Sequence, residues 1–309
     1  MLRGLFLAAA LLPLAGLGSQ RHARNGLIAY AHVGGDDRSQ IYTMTATGAH
    51  RRPLTGGRRY SSYDPAFSPN GKRIAFVRAG TSPNIWTMHA DGTHKRALTR
   101  TAGGQEIDPA WSPDGKQIVF AVEGPAPEQG IWLLPADGKG GRVPLTHGTD
   151  TNPTWSPDGT EIAFQREDPV TQTDAIYVVP AAGGAATDLT DDPTDDYLDP
   201  AWSPDGNWIL LSSDRPDQVQ LDLWALDLRA AGPAPSFRRV TNTPSRDESE
   251  PAWSPDGKRI VYSGRGSFHG ASSSQIYVVN AGGSGRRILT HACGDCAYIN
   301  DGPTWQSLP

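Results

Sequence analysis

The chain has little cysteine and only one long apolar run. That run, residues 5–12, is shorter than the roughly 20 apolar residues that a membrane-spanning helix needs. Arg3 precedes it and small residues follow near Gly18, which predicts a secretory signal peptide over residues 1–18. We therefore expect an exported, periplasmic or extracellular protein whose mature chain, 19–309, has no transmembrane segment. A retained membrane anchor is the alternative.

The only two cysteines are Cys293 and Cys296, in His-Ala-Cys-Gly-Asp-Cys. In an exported protein this pair is expected to be oxidised to a disulfide. A zinc site that adds His291 is the alternative. Structural zinc takes four ligands, however, and the chain has no further cysteine to supply one.

Several functional classes lack their signatures. The formal net charge is −5 and the basic residues are scattered over turns, which argues against a nucleic-acid partner. No Gly-x-Ser-x-Gly occurs, so the nucleophile elbow of a hydrolase domain is absent. Helical periodicity is almost absent too. The 35 glycines and 26 prolines fall at turns, so their number does not imply disorder.

One sequence, Pro-Ala-Trp-Ser-Pro-Asp-Gly or a near copy, occurs five times, and a truncated sixth copy closes the chain. Ser-Pro-Asp-Gly favours a tight turn, because proline presets φ, aspartate bonds its own backbone and glycine accepts the exit angle. The turn joins a strand with an aromatic residue (strand A) to an apolar strand (strand B). The copies begin at Pro65, Pro109, Pro153, Pro200, Pro251 and Pro303.

Two further strands recur within each repeat. Strand C carries an Ile or Leu followed by an aromatic residue, and strand D ends in threonine at Thr55, Thr99, Thr146, Thr190, Thr241 and Thr290. Four antiparallel strands repeated six times predict an all-β, six-bladed β-propeller, with the large aromatic side chains packed between blades. The first repeat lacks strand A, and residues 303–306 form a strand A without a strand B. We therefore expect the C-terminal strand to pair into the first blade and close the ring.

The repeat [Asp/Asn]-Pro-[Ala/Thr]-[Trp/Phe]-Ser-Pro-[Asp/Asn]-Gly, followed by runs such as Lys-Arg-Ile-Ala-Phe, resembles the WD-like repeat of TolB-type propellers. The resemblance covers nearly the whole predicted mature chain and implies the same strand-swapped closure. TolB itself carries an α/β domain ahead of its propeller. Here the first repeat follows shortly after the predicted cleavage site, so we expect a TolB-like propeller protein without that domain.

The residue before each strand-A proline is predicted to lie at the mouth of the central channel. Crowded carboxylates there would have raised pKa values or attract a cation, so Ca²⁺ at Asp108, Asp199 and Glu250 is one interpretation. The other is structural, with each side chain capping its turn or bonding backbone amides near the proline. No other cofactor is expected. The mouth residues are Asp64, Asp108, Asn152, Asp199, Glu250 and Gly302, with Asp301 beside the last.

The connections between strands B and C vary in length, and they emerge on the same side as this mouth. Variable loops on a rigid scaffold are where recognition usually occurs. The predicted contact segments are 125–129, 168–174, 214–220 and 264–274.

These patterns favour a monomeric, non-catalytic protein that binds a protein or peptide partner, such as one of the cell envelope, through the channel face. A metal-dependent propeller enzyme of lactonase or lyase type is the alternative. Against it, no histidine precedes any strand-A proline to act as a general base.

Overall fold

A computed structural model describes residues 24–308, apart from 35–36, 58, 81, 102–103, 126, 216–219, 231–233, 269–270 and 291–298. The predicted signal peptide and the Cys293–Cys296 pair lie outside the described residues. Twenty-four strands form six antiparallel sheets of four strands each, which confirms the six-bladed propeller.

The strands follow the chain blade by blade, each inner strand A leading to an outer strand D. Strands B, C and D of blade 1 are β1 (Arg24–Val33), β2 (Ser39–Met44) and β3 (Arg52–Pro53). Blade 2 comprises β4 (Ser61–Phe67), β5 (Arg73–Ala79), β6 (Asn84–His89) and β7 (Arg96–Ala97). Blade 3 comprises β8 (Gln105–Trp111), β9 (Gln117–Glu123), β10 (Gly130–Pro135) and β11 (Val143–Pro144).

The second half of the ring repeats this order. Blade 4 comprises β12 (Asp150–Trp155), β13 (Glu161–Glu167), β14 (Asp174–Pro180) and β15 (Thr187–Asp188). Blade 5 comprises β16 (Tyr197–Trp202), β17 (Trp208–Ser213), β18 (Asp222–Asp227) and β19 (Phe237–Arg239). Blade 6 comprises β20 (Asp247–Trp253), β21 (Arg259–Phe268), β22 (Ala271–Asn280) and β23 (Arg287–Ile288), and the chain ends in β24 (Ile299–Leu308).

The C-terminal strand closes the ring as predicted. β24 pairs antiparallel with β1, from Arg24 opposite Leu308 to Val33 opposite Ile299, and becomes strand A of blade 1. Blade 1 is thus built from both ends of the described chain, and its strand A has a paired edge like those of the other blades.

The apolar core lies between the blades. Phe67 packs among blades 1 and 2, Trp155 among blades 3 and 4, and Trp305 among blades 6 and 1. Each of these three rings is at least nine-tenths buried. A blade therefore buries its faces only against its neighbours, which makes the stability of the sheets collective.

The Ser-Pro-Asp-Gly turns share one hydrogen-bond pattern in all five complete copies. The serine Oγ donates to the Asp or Asn side chain two residues on, at 2.5–2.9 Å. The same Oγ accepts the N–H of the first strand-B residue at 2.9–3.0 Å. This pattern explains why serine and Asp or Asn recur, since each satisfies a backbone or side-chain group of the turn.

The recurring threonines follow the short strand D of each blade. Their Oγ1 atoms accept the backbone N–H of the strand-C Ile or Leu at 2.8–3.3 Å in every blade. The threonine side chain therefore extends the pairing of strands C and D beyond the two or three residues of strand D itself.

Each channel opening belongs to a different face. The A–B turns and C–D turns form one face, which we call the turn face, and the B–C and D–A connections form the other, the loop face. Because strands alternate in direction, every blade contributes the same two connections to each face.

Closure by β24 predicts that Trp305→Ala lowers the free energy of unfolding by about 3–5 kcal/mol, as loss of a buried aromatic ring does. Deleting residues 303–309 should destabilise the whole domain, because strand A of blade 1 is then missing. Urea unfolding measures both effects. Trp208→Ala, which removes a partly buried indole away from the closing seam, is the matched control and should cost less. A truncated chain that unfolds together with the intact one would contradict closure.

Candidate functional site

The residue before each strand-A proline has a left-handed backbone conformation. The φ values are 48° at Asp64, 53° at Asp108, 50° at Asn152, 54° at Asp199, 53° at Glu250 and 58° at Gly302. Asp, Asn and Gly tolerate this region better than other residues do. Five of the six positions therefore carry residue types that suit the conformation, and Glu250 is the exception.

A β-bulge causes this conformation in every blade. In blade 2, Tyr63 pairs with Val77 and Ala66 with Ala75, so three steps along strand A match two along strand B. The same shift occurs in the other five blades, including between β24 and β1. A bulge inserts one unpaired residue and re-aims its side chain. The pre-proline residues are those unpaired residues.

The freed backbone N–H groups are bonded by the neighbouring blade. The N–H of Asp108 donates to Asp64 Oδ2 at 3.4 Å, and that of Asn152 donates to Asp108 Oδ2 at 3.2 Å. The N–H of Glu250 donates to Asp199 Oδ2 at 3.0 Å, and that of Gly302 donates to Glu250 Oε2 at 2.7 Å. The carboxylates thus bond backbone amides beside the strand-A proline of the next blade and do not cap their own turn.

Blade 4 replaces the carboxylate by amides. Gln165 Oε1 accepts the N–H of Asp199 at 3.3 Å, and it also accepts from Asn152 Nδ2 at 3.0 Å. Asn152 Nδ2 donates in turn to Asp199 Oδ1 at 3.1 Å. At the sixth seam Gly302 has no side chain to offer Asp64. The mouth is therefore a directional ring of inter-blade hydrogen bonds that the closing seam interrupts.

The residue on strand B beside each mouth residue determines whether the mouth carboxyl receives a hydroxyl hydrogen bond. Ser212 Oγ donates to Asp199 at 3.2 Å, and Ser263 Oγ donates to Glu250 at 2.7 Å. The corresponding strand-B positions in blades 2 and 3 are Val77 and Ala121. Asp64 and Asp108 consequently lack a strand-B hydroxyl donor.

The mouth carboxyls are surrounded by protein and by one another. Burial, followed by the charges of Asp108 and Glu250, raises the pKa of Asp64 well above its usual range. Burial raises the pKa of Asp108 to about 6, and burial with the nearby Asp301 raises that of Glu250 to about 7. The pKa of Asp199 is raised by burial as well. Part of this ring is therefore protonated near neutral pH.

The mouth encloses a cavity of about 230 Å³, lined by the pre-proline residues and the strand-A prolines. Within the described residues, no three His, Cys, Asp or Glu side chains are grouped so that they could hold a metal ion. Calcium at Asp108, Asp199 and Glu250 stays a prediction, while the hydrogen bonds give these side chains a structural role.

The predicted contact segments differ in the structure. Of the predicted segment 168–174, residues 168–173 connect β13 and β14 as a loop on the loop face, and Asp174 begins β14. Asp168 accepts the N–H groups of Val170 and Thr171 in this loop. The prediction of a loop at 264–274 is wrong for most of that segment, because β21 continues to Phe268 and β22 begins at Ala271. The pairing of β21 with β22 continues to Phe268 opposite Ala271, so these two strands reach further on the loop face than strands B and C of the other blades. Segments 125–129 and 214–220 are described only in part.

A second cavity lies on the turn face and was not predicted from the sequence. It measures about 850 Å³ and is encircled by five turn prolines together with Trp208 and Trp253. The repeat could have predicted it, because the proline of Ser-Pro-Asp-Gly has the same position in every A–B turn and all A–B turns lie on one face. The prolines are Pro69, Pro113, Pro157, Pro204 and Pro255.

Residues 21–168 match the PD40 family, the TolB beta propeller domain. The match spans three of the bulged Asp/Asn-Pro sites and agrees with the six-bladed ring. The chain is thus TolB-like in fold, with the family match confined to residues 21–168. No curated protein sequence matches this TolB-like propeller significantly.

Solved structures share the fold. TolB from Acinetobacter baumannii superposes with a TM-score of 0.75 at 22% identity, covering 91% of this chain and 66% of that one. A putative TolB from Agrobacterium tumefaciens gives 0.67 at 18% identity, with 92% and 99% covered. An oligogalacturonate lyase from Vibrio parahaemolyticus gives 0.58 at 14%, with 87% and 77% covered. At these identities the likeness establishes the fold and leaves the activity open.

The raised carboxyl pKa values predict that stability falls as pH rises from about 4 to about 7. In this interval the unfolded carboxyls are ionised while Asp108 and Glu250 stay partly protonated in the fold, so the folded state binds more protons. Asp64→Asn keeps the acceptor for the Asp108 N–H and should reduce the decline by about 1 kcal/mol or more. Urea unfolding at several pH values measures it.

Asp158→Asn is the control for this pH effect. Asp158 lies in an exposed turn where hydrogen bonds from Ser156 and Thr160 lower its pKa, and Asn70 occupies the same turn position in blade 2. This variant should keep the full decline. A decline of the same size in the parent chain and in Asp64→Asn, or a stability that rises between pH 4 and 7, would contradict the assignment.

Calcium binding by the mouth carboxyls can be tested independently of their structural role. If the mouth binds Ca²⁺, millimolar calcium should raise the melting temperature by mass action. Replacing Asp108 and Asp199 with Asn should abolish that rise and leave the ion-free protein equally or more stable, because repulsion is relieved and the acceptor oxygens remain. If calcium leaves the melting temperature of both proteins unchanged, the carboxyls serve the fold alone.

Proposed function

We propose that this TolB-like propeller is an exported, non-catalytic binding protein that takes a protein or peptide partner on its loop face. The observation that carries the proposal is the acidity of that face around blades 4 and 5, next to the acidic channel mouth. The partner segment would be cationic, since electrostatic complementarity steers encounter and fixes orientation. The predicted signal peptide and the TolB-like fold support export.

The acidic surface is built from exposed or partly exposed carboxylates of two neighbouring connections. Asp191, Asp192, Asp195 and Asp196 lie between β15 and β16, and Asp168 lies between β13 and β14. Asp192 Oδ1 accepts the N–H of Thr194 at 3.0 Å. Rigid, preorganised loops lose little conformational freedom when a partner binds.

The mouth carboxyls support a binding role over a catalytic one. Their hydrogen bonds run to backbone amides, to serine hydroxyls and to an asparagine amide. A general base needs reach to a substrate proton, whereas these oxygens hold adjacent blades together. The mouth thus supplies negative potential and shape, and the loops around it supply contacts.

The test is chemical cross-linking of the mature protein to its own envelope extract, with mapping of the cross-linked positions. A triple variant, Asp168→Asn, Asp191→Asn and Asp192→Asn, keeps the oxygen acceptors of the loops and removes three charges. The cross-linked partner should attach at the loop face, and its yield should fall about tenfold or more in the triple variant, as for lost interfacial charges.

Asp114→Asn with Asp158→Asn is the matched control. These aspartates cap turns on the opposite face, and Asn70 shows that asparagine fits that turn position. The control pair should leave the yield unchanged. Cross-links that map to the turn face, or an equal loss in both variants, would contradict the loop face as the binding surface.

A further inference from the structure

An arginine at the start of strand D ties adjacent blades together on the turn face. Arg52 Nη2 donates to Asp91 O at 3.1 Å, and Arg96 Nη1 donates to Asp137 O at 3.1 Å. Arg238 Nη2 donates to Ala281 O and Arg287 Nη2 to Ala46 O, both at 3.3 Å. Each bond reaches the C–D turn of the next blade.

These bonds leave the arginine charges in place. A backbone carbonyl does not neutralise a guanidinium, which keeps further N–H donors for a ligand. All four arginines are exposed, and Arg51 and Lys95 beside them are exposed too. We call these six cations the basic arc: Arg51, Arg52, Lys95, Arg96, Arg238 and Arg287.

The basic arc occupies one contiguous part of the ring. Its members belong to blades 5, 6, 1 and 2. Blades 3 and 4 have Val143 and Thr187 at the corresponding strand-D position, and the C–D turn 181–186 of blade 4 contains only alanine and glycine. The inter-blade arginines are therefore confined to this part of the ring, although blade 3 also presents the exposed Lys116 and Lys139 on the turn face.

The loop face carries a cluster of carboxylates around blades 4 and 5 and at the channel mouth. Its carboxylates include the aspartates between β15 and β16 and the channel-mouth acids. An anionic surface would repel this face and attract the basic arc, so it would select a single orientation of the propeller.

The chain also enters the propeller at the turn face. Arg24, the first described residue, pairs with Leu308 at the end of β1 and β24 that adjoins the A–B turns. Asn25 Oδ1 accepts the N–H of Asp256, a residue of the blade 6 turn. Both ends of the described chain thus lie at the turn face.

We propose that the basic arc docks the turn face on an anionic phospholipid bilayer. The arc spreads six cations around the edge of one face, where each can meet a separate lipid phosphate. Guanidinium groups bind phosphate oxygens through paired N–H donors. The acidic loop face then points away from the membrane. This inference concerns a second surface and does not depend on the partner proposed above.

The test is co-sedimentation with vesicles of phosphatidylcholine, with and without about one-third phosphatidylglycerol. The chain from Ser19 onward suits it, because all twenty-four strands lie between residues 24 and 308. Binding should require phosphatidylglycerol and weaken with salt. Arg52→Gln with Arg287→Gln should lower the partition coefficient by about tenfold or more, whereas Arg52→Lys with Arg287→Lys should retain most of it.

Two further measurements decide the outcome. Arg59→Gln with Arg100→Gln makes the same charge change at exposed residues of the loop face and should leave binding unchanged. Melting temperatures show whether each double variant is folded. The double lysine variant keeps the charge and loses the arginine hydrogen bonds to the next blade, so it separates the effect of charge from the effect of those bonds. Equal binding to neutral vesicles, equal losses in both glutamine pairs, or equally tight binding to soluble polyglutamate would overturn a lipid-docking surface.

Discussion

The bulge in strand A is the constraint on which the channel and its chemistry depend. It frees one backbone N–H per blade beside the channel, where an unpaired amide is costly. A side chain from the preceding blade satisfies that N–H at five of the six seams. Carboxylates suit this work because they accept several hydrogen bonds, so the acidic mouth follows from the backbone geometry. Its raised pKa values follow from the crowding that the ring produces.

On both faces of the propeller, charged side chains of one blade bond the backbone of the next, and the charges are opposite on the two faces. On the loop side, acids of one blade accept from the backbone N–H of the next. On the turn side, arginines of one blade donate to the carbonyls of the next. The seams between blades 2 and 3, 5 and 6, and 6 and 1 have both kinds of bond, so these three are joined at both ends of their apolar contact. The different charges of the two faces follow from these inter-blade bonds, and a binding partner could recognise either face by its charge.

The fold could be predicted from the sequence because each blade repeats its turn, its aromatic residue and its threonine. The positions of the mouth residues followed from the same periodicity. The bonding of those residues could not be predicted, because it links blades through a bulge whose only sequence signal is Asp, Asn or Gly before proline. Gln165 was missed for that reason: it lies in strand B and acts on the next blade.

Other features depend on contacts between repeats. The proline-lined cavity and the basic arc arise from residues that are turn or surface positions within one repeat and become neighbours only in the ring. The extension of β21 and β22 was hidden by glycine and serine, which are poor strand formers and were interpreted as a loop.

The closing pair also determines how the ring would respond to mechanical force. Arg24 and Leu308 lie opposite each other at one end of an antiparallel pair, so both chain ends leave blade 1 at the same point. Tension applied to these ends loads the backbone hydrogen bonds one after another, as in a zipper, and not all together in shear. A ring that is thermodynamically cooperative is therefore mechanically weak along this one axis, and pulling would peel β24 away before any other strand.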